Sequence, residues 1–113
     1  MQTKQLLVPL LTTAVMAYPA TSLAGDPVVI ELTLKDHKFE PAEIRAPAGQ
    51  AIVINLKNAD ASPEEFESSA LRVEKIVTPN GTITIKLKPL AAGKYPFIGD
   101  YNEKTAQGVL VVE

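Results

Sequence analysis

The 113-residue sequence contains no cysteine and no tryptophan, and it contains a single histidine, His37. Its two methionines, Met1 and Met16, both lie in the N-terminal region. Without cysteine the chain forms no disulfide and offers no thiolate to a metal ion. The fold must therefore be held together by buried apolar side chains and by hydrogen bonds between strands.

The first 24 residues are predicted to be a secretory signal peptide. Lys4 precedes the apolar stretch LLVPLLTTAVMAY, and Ser22 and Ala24 are the small residues of a cleavage site before Gly25. The stretch is short and is interrupted by proline and threonine, so it makes a poor membrane span, and an uncleaved anchor is the alternative. We therefore expect a periplasmic or otherwise exported mature protein, residues 25–113, with no membrane span.

Charge is well mixed in residues 25–113, which carry all thirteen acidic residues and, without Lys4, ten of the eleven basic ones. There is no basic stripe for a nucleic acid and no polybasic patch for a membrane surface. A glycine-rich phosphate loop and a G-x-S-x-G nucleophile motif are also absent. The sequence therefore supports neither nucleotide chemistry nor serine hydrolysis.

Segments of alternating polarity dominate residues 25–113. VVIELTLK (28–35) and TITIKLKP (82–89) place apolar side chains on one face and polar ones on the other, which is the pattern of half-buried strands. Turns containing glycine separate such segments at intervals of about ten residues. Further strands are predicted at 43–46, 51–58, 71–78, 93–99 and 108–113. The sequence indicates an all-β sandwich of two sheets with six to eight strands, and at most one helical turn within 62–71.

The order of the motifs carries a family resemblance. FEP (39–41), PAG (47–49), a loop at Pro63, PNGT (79–82), GKYPF (93–97) and GVLVV (108–112) follow one another. This order resembles the cupredoxin superfamily, which implies a Greek-key β-sandwich. The segments EFE (65–67), VEK (73–75) and YPFIGDYNEKTAQG (95–108) look most like the EfeO-type cupredoxin-like domains of bacterial periplasmic iron-uptake systems. The resemblance implies a partner such as a membrane iron permease or another periplasmic iron-uptake protein.

The copper site of the superfamily is missing from this sequence. A type 1 (blue) copper centre needs two histidines, a cysteine thiolate and a weak axial ligand, usually methionine. By the resemblance, the two histidine positions correspond to Glu64 and Asn102, the cysteine position to Gly99 and the axial position to Ala106. Because none of the four is a suitable ligand and the chain has no cysteine, electron transfer through type 1 copper is excluded. Some EfeO-type domains carry cysteines at the positions of Phe39 and Gly99, and this chain does not.

Carboxylates are the remaining candidates for metal ligands. Glu65 and Glu67 lie two residues apart on an extended segment, so they point the same way while Phe66 turns to the core. Such oxygen ligands suit Fe³⁺, Mn²⁺ or Ca²⁺ better than Cu(I). Glu74 would join them if its strand pairs with this segment. The alternative is a solvated acidic strand edge, with Glu74 in an ion pair with Arg72 or a lysine.

The loop at 99–108 and the single histidine complete the set of candidates. If this loop meets the Pro63 loop at one end of the sandwich, as the resemblance implies, Asp100, Asn102 and Glu103 approach residues 64–67; a simple turn is the alternative. A lone histidine is more often exposed than a ligand, but His37 is the only imidazole for Cu²⁺ or Zn²⁺. The candidate ligands for Fe³⁺ or Cu²⁺ are thus Glu65, Glu67, Glu74, Asp100, Glu103 and His37.

These features favour an exported accessory protein of iron, or copper, uptake that binds or hands over a metal ion through carboxylates. Two alternatives stay open. One is a metal-free module that docks on a partner protein, and the other is a weak ferroxidase that recruits copper through His37 and nearby acids. Binding is favoured over oxidation because the usual copper ligands are missing, so we expect no enzymatic activity other than that ferroxidase alternative.

Overall fold

A computed structural model describes residues 25–113, which form nine β-strands and one 3₁₀ turn. The strands are β1 (Val28–Lys35), β2 (Lys38–Glu40), β3 (Glu43–Ala46), β4 (Ile52–Asn58), β5 (Glu64–Ser68), β6 (Val73–Val77), β7 (Thr82–Leu87), β8 (Gly93–Gly99) and β9 (Gln107–Val112). The 3₁₀ turn, called here the 100–102 turn, spans Asp100–Asn102 and follows β8 directly. These residues include no helix of the length and apolarity that a membrane crossing requires.

The strands form two sheets. One contains four strands in the order β2-β1-β4-β7, and the other contains five in the order β3-β9-β8-β5-β6. β1 pairs with β4 and β3 pairs with β9 in parallel, whereas the remaining pairs are antiparallel. The predicted all-β sandwich is confirmed, with nine strands in the described residues where six to eight were expected.

The structure contains two strands that the sequence pattern does not predict, β2 and β5, and each has a local reason. β2 has only three residues, too few for an alternating pattern, and it follows a tight turn in which Asp36 and His37 have φ values of 53° and 60°. The inward face of β5 consists of Glu64, Phe66 and Ser68, so two polar residues hide the alternation that marks a half-buried strand.

Three phenylalanines join the two sheets in the core. Phe66 of β5 and Phe97 of β8 stack with ring centroids 5.0 Å apart, and Phe39 of β2 meets the edge of both at 6.1 and 5.0 Å. All three are almost fully buried. Each such aromatic pair contributes about 1 kcal/mol beyond the burial of its area. The cluster therefore fixes β5 and β8 relative to each other, and these two strands carry the residues considered next.

Candidate metal centre

β5 presents neighbouring carboxylates to opposite sides of its sheet. Side chains alternate along a strand, so the burial of Phe66 determines which side each neighbour takes. Glu64 shares the inward side and is 1% exposed. Glu65 and Glu67 lie on the outward side and are partly exposed. The predicted orientation of these two glutamates around a buried Phe66 is confirmed.

On the outward side, Glu65, Glu67 and Asp100 form a group that we call the acidic cluster. One carboxylate oxygen from each residue lies within 4.8 Å of the others. Two oxygens bound to one Ca²⁺ ion at about 2.5 Å are at most about 5 Å apart, so this spacing suits a shared cation. Asp100 reaches the group because β8, which ends just before it, pairs with β5 through Phe66 and Gly99.

Glu74 adjoins the acidic cluster from β6. The register of the β5–β6 pair places it directly opposite Glu67, so the pairing on which its approach to the two glutamates depended does form. Like charges in that position repel. Arg72 lies outside β6 with a φ of 58°, and within residues 25–113 none of the four carboxylates forms an ion pair with a basic side chain. No ion pair among the described residues therefore neutralises the charge of this surface.

Both glutamates of the cluster have raised pKa values. Desolvation by the surrounding sheet is the main cause for each. Repulsion by Glu74 and by Asp100 further raises the pKa of Glu65, and the same two neighbours raise the pKa of Glu67. A bound cation would relieve this repulsion by supplying the opposite charge. The outward surface therefore has a physical reason to bind protons or cations.

On the inward side, the Glu64 carboxylate is fully hydrogen-bonded. Its Oε1 accepts from the backbone N–H of Glu65 at 2.9 Å and of Tyr101 at 2.7 Å, and its Oε2 accepts from the Asn102 side-chain amide at 2.8 Å. A buried carboxylate is tolerated when such donors replace its lost hydration. These bonds join the start of β5 to the 100–102 turn, so the two loops converge as the resemblance implies.

The positions that the resemblance assigns to copper ligands also come together. A Cβ atom built on Gly99 would lie 2.7 Å from both Glu64 Cδ and Ala106 Cβ, and Glu64 is bonded to Asn102. Gly99 and Ala106 offer no ligand atom, and the oxygens of Glu64 already accept three hydrogen bonds. This arrangement does not fit a type 1 copper ion, which needs two imidazoles and a thiolate. The Glu64 carboxylate occupies the space between these positions instead.

The remaining candidates, His37 and Glu103, do not belong to the acidic cluster. Both line a surface groove of about 440 Å³ together with Asp100 and Tyr101. The Nδ1 atom of His37 lies 3.6 Å from a carboxylate oxygen of Asp60, and that carboxylate also accepts the His37 backbone N–H at 3.0 Å. The structure thus gives the imidazole an acidic neighbour of its own, on a different loop from the cluster.

The structural role of Glu64 was not predicted. By the resemblance, its sequence position implies only the place of a copper-ligating histidine. The sequence does contain evidence for this role, because Glu64 lies two residues before the inward-facing Phe66 and therefore points to the same side of an extended segment. This spacing predicts that the Glu64 side chain points inward. The hydrogen-bond donors that make a buried carboxylate acceptable, however, come from a loop distant in sequence.

Comparisons with known proteins agree with this architecture. The chain matches the model of the cupredoxin-like domain over residues 6–112. It is 41% identical over 112 residues to the uncharacterized protein RP394 of Rickettsia prowazekii (strain Madrid E), covering 95% of this chain and 90% of that protein.

Two solved structures show the same fold. Auracyanin A, a blue copper protein from Chloroflexus aurantiacus, is similar with a TM-score of 0.66 and 22% identity over 78% of this chain and 100% of that chain. The metal-binding domain of the Cu(I)-exporting P-type ATPase CopA of Streptococcus pneumoniae D39 has a TM-score of 0.70 and 19% identity over 81% of this chain and 91% of that chain. With a family model that matches nearly its whole length, the chain belongs to the family of cupredoxin-like domains.

Proposed function

We propose that this protein is an exported accessory protein of iron uptake, similar to the EfeO-type domains, which binds a hard cation such as Fe³⁺ at its acidic cluster. The observation that carries the proposal is the approach of Glu65, Glu67 and Asp100 to within 4.8 Å of one another. Glu74 adds a fourth carboxylate through its pairing with Glu67. Four acids without a basic partner among residues 25–113 hold a charge that a cation would neutralise.

The chemistry of the cluster favours Fe³⁺, Mn²⁺ or Ca²⁺ over copper. Its ligands are all carboxylate oxygens, which suit hard cations, whereas Cu(I) prefers sulfur ligands. Because the three residues lie at the surface, with Asp100 exposed, a bound ion stays within reach of ligands from a second protein. This exposure suits transfer of the ion to a membrane permease or to another periplasmic protein of iron uptake.

Binding is favoured over oxidation of iron. A ferroxidase needs a redox centre, and the position that the resemblance assigns to a copper-ligating histidine is taken by Glu64, whose carboxylate already accepts three hydrogen bonds. The only imidazole, His37, is not part of the acidic cluster. We therefore assign no catalytic residue.

Calorimetric titration of the full chain with Mn²⁺, Fe³⁺-citrate, Cu²⁺ and Zn²⁺ tests the proposal. We expect one Mn²⁺ or Fe³⁺ ion per chain, with a Kd below about 100 μM, which is roughly −5.5 kcal/mol. Combined Glu65→Gln and Glu67→Gln substitutions should weaken this binding by a factor of about 100 or more, because they remove two of three charged ligands.

A matched control is the pair Glu31→Gln and Glu40→Gln. These two exposed glutamates lie on strands of the other sheet, and their substitution changes the net charge by the same amount. The control variant should keep the affinity of the wild type. If the wild type binds none of the ions tighter than about 100 μM, the metal-binding proposal is wrong and the metal-free docking module becomes the better account. Iron uptake by cells that lack the gene tests the physiological role separately.

A further inference from the structure

The 100–102 turn carries Asp100 to the acidic cluster, yet packing does little to hold it there. The turn contains no buried residue, and its N-cap residue, Gly99, has no side chain to accept a hydrogen bond from it. Repulsion from Glu65 and Glu67 acts to drive Asp100 away, since these carboxylates have the same sign. The pairing of β8 with β5 ends at Gly99, so a further attachment beyond that residue is needed to keep Asp100 beside the two glutamates.

Glu64 provides that attachment from the inward side of β5. Its carboxylate accepts the N–H of Tyr101 at 2.7 Å, and this N–H belongs to the peptide group that links Asp100 to Tyr101. The side chain of Asn102 donates a second bond to the same carboxylate at 2.8 Å. Hydrogen bonds to a charged acceptor are about twice as strong as neutral ones. The backbone on the C-terminal side of Asp100 is thus tied directly to β5.

The same carboxylate also acts on the other half of the acidic cluster. The third bond comes from the backbone N–H of Glu65, at 2.9 Å. One buried group therefore contacts the backbone that carries Glu65 and the backbone that carries Asp100. The distance between these two metal-ligand candidates is therefore set by the pairing of β8 with β5 and by one side chain that no cation could reach, since Glu64 is 1% exposed.

We propose that Glu64 is a positioning residue for cation binding, whose buried carboxylate holds Asp100 beside Glu65 and Glu67. This inference rests on the proposed function of the acidic cluster. It differs from a ligand role, because Glu64 faces the interior and its oxygens already accept three hydrogen bonds. It also differs from a general stabilising role, because it predicts that loss of Glu64 lowers the cation affinity by displacing Asp100.

Glu64→Asp in the full chain is the decisive substitution. The variant keeps the negative charge, so the electrostatic attraction of a cation is retained, but its side chain is one methylene group shorter, which should lengthen or break the bonds to the 100–102 turn. We expect the Kd for Mn²⁺, measured by titration, to rise about tenfold or more, which corresponds to about 1.4 kcal/mol. We also expect the amide hydrogen of Tyr101 to exchange at least tenfold faster in the folded protein.

Two further variants separate positioning from loss of stability. Asn58→Ala removes another buried polar side chain, which bonds the carbonyl oxygens of Ser62 and Thr78 at 2.8 and 3.2 Å, away from the 100–102 turn. It should lower the melting temperature and leave the Mn²⁺ affinity unchanged. In an Asp100→Asn background, Glu64→Asp should change the affinity by less than about twofold, because the two residues act through one contact.

The outcomes decide the inference. Wild-type affinity in Glu64→Asp, or an equal loss of affinity in the Asp100→Asn background, would overturn it. If the wild type binds no Mn²⁺, the proposed function fails and the role of Glu64 in cation binding fails with it. The exchange of the Tyr101 amide tests separately whether Glu64 holds the 100–102 turn, and unchanged exchange in Glu64→Asp would refute that attachment.

Discussion

Glu64 and Glu65 are neighbours in β5, yet their carboxylates meet opposite surroundings. Glu64 turns inward and accepts three hydrogen bonds from N–H groups. Glu65 turns outward, where desolvation by the sheet raises its pKa and the charged neighbours Glu74 and Asp100 raise it further. The buried carboxylate is thus satisfied by the protein, and the exposed one is not. Burial alone does not decide whether a carboxylate favours a bound cation. The number of hydrogen-bond donors that the protein provides to its oxygens decides this.

The largest effect expected from this contrast is on stability. Glu64→Ala leaves the amide groups of Glu65, Tyr101 and Asn102 without their acceptor and opens a cavity. We expect the free energy of unfolding to fall by about 3 kcal/mol, measured by urea denaturation. The neighbouring Glu65→Ala should leave this free energy nearly unchanged. Equal losses in the two variants would contradict the contrast between the two sides of β5.

A smaller loss of stability is expected from crowding the space that Glu64 fills. In Gly99→Ala the added methyl group would lie 2.7 Å from Glu64 Cδ and 2.8 Å from its Oε2 atom. Because Ala106 closes the opposite side at 2.7 Å, we expect a loss of about 2 kcal/mol in urea denaturation. The control is Gly25→Ala, whose methyl group meets no atom within 4 Å. A neutral Gly99→Ala would show that Glu64 can move aside.

On the outward side, pH is expected to have a smaller effect on the free energy of unfolding, and a rise in pH should lower it. The pKa of Glu67 is raised in the folded protein, so the native state binds more protons than the unfolded state at pH values between the ordinary and the raised pKa. The stability of the metal-free protein should therefore fall as pH rises through this window. Glu67→Gln should flatten that dependence in thermal unfolding with a chelator present, whereas Glu40→Gln should not. Identical pH profiles for wild type and Glu67→Gln would show that the pKa of Glu67 is not raised in the folded protein.

The smallest effect is expected at the histidine. His37 is held near Asp60 and lies outside the acidic cluster, so His37→Ala should change the Mn²⁺ affinity by less than about twofold in the same titration. The matched variant Glu67→Gln should weaken the binding strongly. A tenfold loss of Mn²⁺ affinity in His37→Ala would show that the imidazole contributes to the site, and it would favour the copper-dependent alternative.

Much of the fold follows from local sequence patterns, but β5 does not. The alternation in β1 and β7 is clean because their outward faces meet solvent, so these strands were predicted correctly. β5 is different, since its inward face includes Glu64 and Ser68. Their polar groups are paired by distant parts of the chain, as in the bond from Ser68 Oγ to the carbonyl oxygen of Pro96 at 2.7 Å. A local pattern cannot show such pairing.

The sequence by itself determined that no thiolate site exists, because the chain has no cysteine, and that Glu65 and Glu67 share one side of a strand, because side chains alternate. Only the tertiary structure decided that Asp100 joins them and that Glu64 is buried with its charge satisfied. The donors of Glu64 on the 100–102 turn are 37 and 38 residues away along the chain. Contacts over such separations depend on how the sheet pairs its strands, so no short stretch of sequence contains them.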